Sequence, residues 1–375
     1  MTFCYAPWSN LEILPTGEIL PCCKFESQSY SQTFNIQHHS IDDYRQSTML
    51  SGIKQQFRAG EWPTGCDRCR IEEESNIESK RQLDYTRWQH HYDNYNLDSG
   101  DLLTVSLALG NTCNLKCIIC GPAASSKWIK EYKDIYGIQV RNIESVRKDL
   151  INSITDIAPR LVHIDMHGGE PMLSSIEQHQ NLLDHYIQTG QAKNISIHYT
   201  TNATIFPDQN WLSRWKNFAE IDLQLSIDGI GNRYEYLRYP ADWSTLNKCA
   251  DQYLKLQQQE SNIKISVAHA VSAFNIFYIE EFVTWCQQKG LPRPWMGKVH
   301  TSAFLRPSVW HEPAKLAIVN KLQSSIIEDV RTWANLMQNT DDSNLFDQFK
   351  QFVQQHDQYR NLNFKNTFPD LAQYI

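Results

Sequence analysis

Apolar and polar positions follow two different periods along the chain from Leu102 onward. Segments in which every second residue is apolar, as in a β-strand, alternate with segments that have helical spacing. Such alternation predicts βα units on a parallel sheet. The predicted strands are 102–110, 161–167, 195–202, 220–228, 263–271 and a weaker one at 295–300, and the predicted helices lie near 123–136, 174–188, 208–218, 244–258 and 276–289. The six strands predict an α/β fold with a partial (β/α)6 barrel of the TIM type.

Three of the predicted strands carry polar or small residues at every second position. In the strand 161–167, His163, Asp165 and His167 alternate with apolar residues, and the next two strands repeat this pattern. Because the helices must cover the apolar face, the polar side chains are expected to line the inside of the barrel. An antiparallel sheet with one solvated face is the alternative.

Three segments outside this alternation predict additional structure. Residues 1–26 predict a hairpin, with strands at 9–14 and 18–23 joined by a turn at Pro15-Thr16-Gly17. The charged stretch 71–95 predicts a helix, and the residues after 310 predict helices that pack on the barrel. We therefore expect a small N-terminal domain at 1–75, a helical bridge at 76–100, the barrel at 101–310 and a C-terminal helical segment at 311–375.

Composition narrows the class of protein. The 375 residues are 41% hydrophobic, with 11 Trp, 17 Tyr and 15 Phe, which is enough to bury a large core and argues against disorder. The net charge of -7 and the lack of a run of Lys and Arg argue against a nucleic-acid partner. The sequence has neither a signal peptide nor an apolar run of about eighteen residues, so we expect a cytoplasmic protein without membrane contact.

The ten cysteines carry the strongest chemical signal, because clustered thiols in a reducing compartment select iron–sulfur or zinc rather than disulfides. Cys113, Cys117 and Cys120 form a CxxxCxxC motif after the first barrel strand, within residues 110–120, the three-cysteine loop. Parallel βα folds build their sites at this edge of the sheet. Three thiolates can hold three corners of a [4Fe–4S] cubane and leave one iron open. A zinc site completed by a distant residue, a chance grouping and a thioredoxin-like redox pair are the alternatives.

A second group of cysteines lies near the N-terminus. Its four expected ligands come from the hairpin and a CxxC pair, and they are Cys4, Cys22, Cys66 and Cys69. Cys23 is the spare thiol, because the spacing from Gly17 to Cys22 sets the register. On spacing alone, a zinc ribbon explains the group as well as an iron–sulfur cluster does. Cys249 and Cys286 fall in predicted helices and are expected to be buried apolar residues.

The three-cysteine loop and a second motif, HGGEP at residues 167–171, together resemble the radical S-adenosylmethionine (SAM) superfamily over about residues 102–300. The resemblance implies a [4Fe–4S] cluster on the loop, whose open iron is chelated by the amino and carboxylate groups of SAM. It also implies that Gly168, Gly169 and Glu170 meet the methionine amino group, since glycine permits close backbone approach and a carboxylate suits an ammonium.

Four further residues have roles implied by the same resemblance. Ser226 resembles the ribose contact of related enzymes, and Arg238 resembles the residue that pairs with the SAM carboxylate. Asn202 ends the third strand and is expected to touch the cofactor or the substrate. A cap or a surface ion pair is the ordinary alternative for these three. The position before the third cysteine is often aromatic in this superfamily and is Ile119 here, which implies an aliphatic and backbone contact with adenine.

Residues 3–75 resemble the twitch domain, the shortened relative of the SPASM domain that carries an auxiliary [4Fe–4S] cluster in many radical SAM enzymes. The resemblance implies that the four N-terminal ligands hold such a cluster. In most of these enzymes the auxiliary domain follows the barrel, whereas here it precedes it. A fully ligated cluster is expected to pass electrons or to shape the substrate site.

The resemblance implies an enzyme that cleaves SAM reductively to a 5′-deoxyadenosyl radical, which abstracts hydrogen from a substrate. A ribosomally made peptide that is crosslinked, epimerised or oxidised is the expected substrate, and a flavodoxin or ferredoxin is the expected external reductant. A dehydrogenase of a sugar-like small molecule is the alternative among enzymes, and a metal-dependent interaction module is the alternative outside them. Asp165, His167 and His198 face inward and are the candidate bases, although a satisfied polar network explains them equally well.

Overall fold

A computed structural model of the chain describes residues 2–74, 78–142, 149–299 and 302–375. The strands of the described residues are β1 (Asn10–Ile13), β2 (Ile19–Leu20), β3 (Thr104–Ala108), β4 (His163–His167), β5 (Ser196–Thr201), β6 (Glu220–Ser226), β7 (Ile263–Val271) and β8 (Trp295–Lys298). They form one sheet in the order β2-β1-β3-β4-β5-β6-β7-β8. Each of the six predicted barrel strands is therefore present, and the last residue of the sixth, His300, lies outside the described residues.

Helices precede, separate and follow the strands. Before β3 lie α1 (Ala6–Ser9), α2 (Ile41–Arg45), α3 (Thr48–Arg58), α4 (Asp67–Glu74) and α5 (Lys80–Tyr92). Among the barrel strands lie α6 (Trp128–Tyr136), α7 (Asp149–Ile157), α8 (Ile176–Gln188), α9 (Gln209–Trp215), α10 (Gly231–Leu237), α11 (Trp243–Gln259) and α12 (Ile279–Lys289). After β8 lie α13 (Ala314–Gln323), α14 (Glu328–Asn339), α15 (Phe346–Arg360), α16 (Phe364–Thr367) and α17 (Pro369–Ala372). Of the predicted bridge at 76–100, residues 76 and 77 lie outside the described residues.

The sheet is mostly parallel. Strand β3 pairs in parallel with β1 and β4, β4 pairs in parallel with β5, and β7 pairs in parallel with β8. The antiparallel alternative is therefore wrong for these strands, and the predicted α/β class is confirmed. None of the described helices is both long enough and apolar enough to cross a membrane.

The predicted N-terminal hairpin is present, with β1 and β2 paired antiparallel. Gly17 closes its turn at φ +82°, a conformation that glycine adopts without the steric cost of a side chain. The sequence did not predict that β1 also pairs with β3, because that register joins residues more than ninety positions apart, as in Asn10 with Thr104. The hairpin thus extends the same sheet.

The chain divides into two compact units. The first contains Met1–Thr112, Ile143–Tyr199 and Gln209–Ile221, and the second contains Cys113–Asn142, Thr200–Asp208 and Asp222–Ile375. The domain boundaries expected from the sequence, at residues 75, 100 and 310, stay a prediction.

In the first unit, the strands alternate between two faces as predicted. Ile164 and Met166 of β4 are fully buried, whereas Asp165 and His167 between them are half-buried. Strand β5 repeats the pattern, with Ile197 buried beside half-buried His198. The apolar face is therefore packed in the core, and the polar face has partial access to solvent.

In the second unit, the C-terminal helices share one aromatic core with the loop that follows β7. The rings of Phe274 and Phe349 lie 5.2 Å apart, and those of Phe349 and Trp310 lie 5.3 Å apart, with all three side chains fully buried. Ring pairs at such separations pack favourably in a core. Helix α15 is thus a structural part of the second unit.

Candidate functional site

Backbone hydrogen bonds hold the three-cysteine loop in the second unit. The amide of Lys116 donates to the carbonyl of Tyr239 over 2.7 Å, and the amide of Ile118 donates to the carbonyl of Leu237 over 2.7 Å. Residues 237–239 therefore run beside the loop and bring Arg238 to it. Cys113 and Cys117 are buried, and Cys120 is partly exposed.

The three thiols of this loop act on one another electrostatically. The Cys120 thiol donates a hydrogen bond to Cys117, which outweighs burial and, with the charge of Arg238, lowers the pKa of Cys117 to about 7. The same hydrogen bond, burial and the charges of Cys117 and Cys113 raise the pKa of Cys120. The three predicted ligands of the loop therefore lie close enough to act on one another, Cys117 and Cys120 through a hydrogen bond and Cys113 through its charge.

Arg238 lies in a buried ion pair with Asp228, a partner that the sequence did not reveal. Its Nε and Nη2 atoms both lie 2.8 Å from one Asp228 carboxylate oxygen, and the other oxygen accepts the amide of Ala270 over 2.8 Å. The charge of Arg238 also acts on Cys117 and Cys120. Its expected contact with the SAM carboxylate stays a prediction.

The surroundings of the loop fit an anionic iron–sulfur cluster. Among the described residues, neither terminal nitrogen of buried Arg360 has a hydrogen-bond partner, and its charge acts on Cys117. Soft thiolates suit iron–sulfur clusters, and buried anions need counter-charges such as those of Arg238 and Arg360. In the described part of the chain, no three His, Cys, Asp or Glu side chains converge into a site for a single metal ion.

Three other residues that were expected to contact the cofactor or the substrate also lie in this unit, and their surroundings differ. The side-chain amide of Asn202 donates to Asn114 over 2.8 Å and to the Cys113 sulfur over 3.8 Å. Ser226 is buried at the end of β6, and Ile119 packs on the aromatic core. Asn202 is therefore placed at the loop, and Asn114 is a neighbour that sequence reasoning missed although it directly follows Cys113.

In the first unit, the Gly168-Gly169-Glu170 turn closes tightly on residues 111 and 112. Gly169 has φ +52°, and a Cβ there would lie 2.3 Å from the Thr112 carbonyl oxygen. The amide of Glu170 donates to that same oxygen over 2.8 Å. Glycine is therefore required at position 169 for this close approach. Glu170 is fully buried, and its contact with the SAM amino group stays a prediction.

The first unit also groups the four N-terminal ligands. Burial raises the pKa of the Cys4 thiol to about 12, and burial likewise raises the pKa values of Cys22 and Cys66. The charges of neighbouring cysteines add to each shift, from Cys69 on Cys4, from Cys4 and Cys66 on Cys22, and from Cys4 and Cys69 on Cys66. Such thiols become thiolates when a metal binds. Glu12 and Asp165 act on Cys23, and Cys23 in turn has the largest charge effect of any cysteine on Cys22, so its role as the spare thiol stays a prediction.

A row of polar side chains crosses the sheet of the first unit. Glu12, Ser106, Asp165 and His198 are neighbours in the register of four adjacent parallel strands, so their side chains share one face. The sequence identified Asp165 and His198 in this row and missed Glu12. The available signal was a carboxylate flanked by apolar residues in the predicted strand 9–14.

Glu12 forms an ion pair with His167. Glu12 is 1% exposed, and its Oε1 atom lies 2.9 Å from His167 Nε2. The residues of β3 between them, Ser106 and Ala108, are small enough to let this contact span the strand. Burial opposes the charge of His167, but Glu12 and then Asp165 outweigh burial and raise the pKa of His167 above its usual value.

A small cavity of about 70 Å³ adjoins this polar row within the first unit. Asp165, Cys23 and His163 line it, together with Lys80 and Asp84, which form an ion pair of 2.7 Å on α5. Burial lowers the pKa of His163, whose Nδ1 lies 2.8 Å from Ser196 Oγ. Acidic, basic and thiol groups therefore line the cavity and could contact a bound polar molecule.

Comparison with known proteins found one matching family model and solved structures of low similarity. No curated protein matches the chain. The structure of anSMEcpe with bound AdoMet is 17% identical, covering 52% of this chain and 52% of that one, with a TM-score of 0.37. With AdoMet and the Cp18Cys peptide bound, anSMEcpe is 16% identical over 59% of this chain and 58% of that one, with a TM-score of 0.38.

A third solved structure covers more of the chain. Streptococcus suis SuiB bound to the precursor peptide SuiA is 14% identical, covering 86% of this chain and 64% of that one, with a TM-score of 0.37. The chain spans 52–58% of the length of the anSMEcpe structures it matches. At these TM-scores the similarity assigns no activity.

One family model matches the N-terminal part of the chain. Residues 4–70 match SPASM, an iron-sulfur cluster-binding domain. The matched range includes all four expected N-terminal ligands. The match confirms the SPASM-like segment predicted from the sequence, and it favours an iron–sulfur cluster over a zinc ribbon there.

Proposed function

We propose that this chain is a radical SAM enzyme that binds SAM at a [4Fe–4S] cluster on the three-cysteine loop, cleaves it reductively and abstracts hydrogen from a substrate. The observation that carries the proposal is the grouping of three thiols beside the buried guanidinium groups of Arg238 and Arg360. The SPASM match over residues 4–70 supports iron–sulfur chemistry in the same chain.

The residues of the loop and its surroundings would bind and orient these groups. SAM bound at the cluster supplies, on one-electron reduction, methionine and a 5′-deoxyadenosyl radical. Cys113, Cys117 and Cys120 would hold the cluster, and the buried guanidinium groups of Arg238 and Arg360 would lie near it. The other SAM contacts expected from the sequence stay part of the proposal, and they are Gly168, Gly169, Glu170, Ile119, Asn202 and Ser226.

The polar face of the first unit supports a proton-handling role. A substrate that loses a hydrogen atom and then an electron also releases a proton, which a nearby base must accept. The Glu12–His167 pair can hold such a proton, because the carboxylate stabilises the imidazolium. Asp165 and His198 are the adjacent candidates in the polar row.

For the substrate, we propose a ribosomally made peptide that is crosslinked, epimerised or oxidised, with a flavodoxin or ferredoxin as external reductant. The resemblance of residues 3–75 to twitch and SPASM domains supports this class, because most enzymes with such domains modify peptides or proteins. The auxiliary cluster on Cys4, Cys22, Cys66 and Cys69 would pass electrons. A peptide encoded beside this gene should change in mass when incubated with the enzyme, SAM and dithionite, and an unchanged spectrum contradicts the peptide proposal.

Anaerobic reconstitution with iron and sulfide tests the cofactor content. Two cubanes predict about eight irons and eight sulfides per chain, and one cubane predicts about four. A variant with Cys113, Cys117 and Cys120 replaced by Ala should lose about four irons. The matched control replaces Cys249, which lies buried on α11, and should keep the full content. Zinc without sulfide in the wild-type protein contradicts the proposal.

A further inference from the structure

A buried carboxylate lies next to the three-cysteine loop in the second unit, and neither the sequence motifs nor the proposed chemistry accounts for it. Glu131 on α6 is 1% exposed and contacts three basic side chains. Lys116 of the loop lies 2.7 Å from it, and His356 and Arg360 of α15 lie 2.6 and 2.8 Å from it. Glu131 therefore joins the loop to a helix more than two hundred residues away in sequence.

The partners of Glu131 touch the loop at more than one point. Lys116 directly precedes the ligand Cys117, and its amide donates to the carbonyl of Tyr239. The indole nitrogen of Trp128, the first residue of α6, donates to the Cys117 carbonyl over 2.9 Å. The guanidinium of Arg360 lies 4.7 Å from the centre of the Trp128 ring. The carboxylate and its partners thus hold the side chains and the backbone around Cys117.

The charges of this group fit its burial. Burial opposes ionisation, but the hydrogen bond from His356 and the charges of Arg360 and Lys116 outweigh burial and lower the pKa of Glu131 to about 2. Burial lowers the pKa of His356, so its ring is neutral, with Nδ1 donating to Glu131 and Nε2 accepting from Tyr136 over 3.0 Å. A buried anion with two cations leaves one net positive charge beside the loop.

We propose that Glu131 is a positioning residue that fixes the three-cysteine loop in the conformation that takes up its cluster, with α15 as the anchor. The proposal rests on the proposed function for the identity of the cluster, but the conformational claim concerns the chain itself. The proposal gives α15 a role in the site in addition to its part in the aromatic core.

Hydrogen exchange of the metal-free, full-length protein tests this claim. E131Q removes the negative charge that the three basic side chains share, and K116M removes the contact between Glu131 and the loop. In both variants the Ile118 amide should exchange about tenfold faster than in wild type. K116R keeps a cation at position 116, so its Ile118 amide should exchange within about twofold of the wild-type rate. D134N is the matched control, because Asp134 joins the same two helices through Tyr359 Oη over 2.7 Å. D134N should leave the exchange rate of the Ile118 amide unchanged.

Iron content and melting temperature complete the test. On reconstitution at a temperature at which both variants are folded, E131Q and K116M should bind about four fewer irons per chain than wild type. If the Ile118 amide exchanges at the wild-type rate and iron uptake is complete in both variants, the proposal about Glu131 is wrong, and the proposed function still stands. If the wild-type protein binds no cluster on the loop, the proposed function is wrong. The exchange rates of the metal-free protein then still test whether Glu131 fixes the conformation of the loop. If E131Q does not fold, K116M decides.

Discussion

Glu12 and His167 are the residues on which the proton chemistry of the polar face depends. The carboxylate is almost completely buried, and its contact with the imidazole is 2.9 Å long. A buried carboxylate is stabilised by a charged partner, and the same interaction favours the protonated imidazole. The pair therefore couples a buried carboxylate to an imidazole whose pKa it raises.

Replacing Glu12 by Gln should lower the pKa of His167, because burial then acts on the imidazolium without its main counter-charge. An NMR titration of the histidine rings measures this decrease. The control variant E18Q, in the same hairpin, should leave the titration unchanged. An unaltered pKa in E12Q contradicts the ion pair.

The same pair predicts a pH dependence of stability. The folded-state pKa of His167 is raised, so its contribution to the unfolding free energy is fully present below the unfolded pKa of about 6.5 and is lost as pH rises through the folded value. Urea unfolding across this range should show the loss in wild type, and E12Q should show less of it. Equal pH dependence in the two proteins argues against this account.

Position 169 requires glycine for two reasons, its positive φ and its close approach to the Thr112 carbonyl, and a control variant separates the two. G169A should lower the unfolding free energy by about 2 kcal/mol or more, because φ is positive and the added Cβ meets the Thr112 carbonyl. G137A is the control, with φ +70° and no atom within 4 Å of its added Cβ, and it should cost about 1 kcal/mol. Chemical denaturation of both measures the difference. Equal costs contradict the close approach.

At the scale of elements, local pattern predicted the barrel strands and five of the helices among them, and it missed the helices α7 and α10. Alternation predicted β3 to β8, and the observed bounds fall within the predicted segments. The pairing of β1 with β3 and the contacts of Glu131 with α15 were missed, because they join residues far apart in sequence. Local periodicity carries no information about such contacts, so the partners of Glu12 and Glu131 could not be predicted.

Helix α15 should contribute strongly to the stability of the second unit through Phe349. F349A should lower the unfolding free energy by about 3–5 kcal/mol, because a fully buried ring leaves a cavity. The control L316A removes a side chain that is 54% exposed and should change it by at most about 0.5 kcal/mol. Similar effects of the two variants, measured by urea denaturation, contradict the packing described for α15.

At the scale of the whole molecule, the chain carries two separate groups of cysteine ligands. The four N-terminal thiols act on one another within the first unit, and the three loop thiols do so within the second. Residue spacing predicted both groups, from the CxxxCxxC motif of the loop and from the hairpin cysteines with the CxxC pair, and their roles as ligands stay predictions. The two groups should therefore be separable by mutation.

Replacing Cys66 by Ala should remove the auxiliary cluster and spare the loop cluster. The expected loss is about four irons per chain, with cleavage of SAM retained. C286A, which alters a thiol buried on α12, is the control and should keep the full iron content. Iron and sulfide assays measure the result. A variant that keeps all its iron contradicts the ligand role of Cys66.

Formation of 5′-deoxyadenosine is the most direct test of the central claim. Reconstituted protein reduced with dithionite in the presence of SAM should release 5′-deoxyadenosine and methionine, and a C117A variant should release neither. Chromatography with mass detection measures both products. A reconstituted wild-type protein that leaves SAM intact under these conditions would contradict the proposed function.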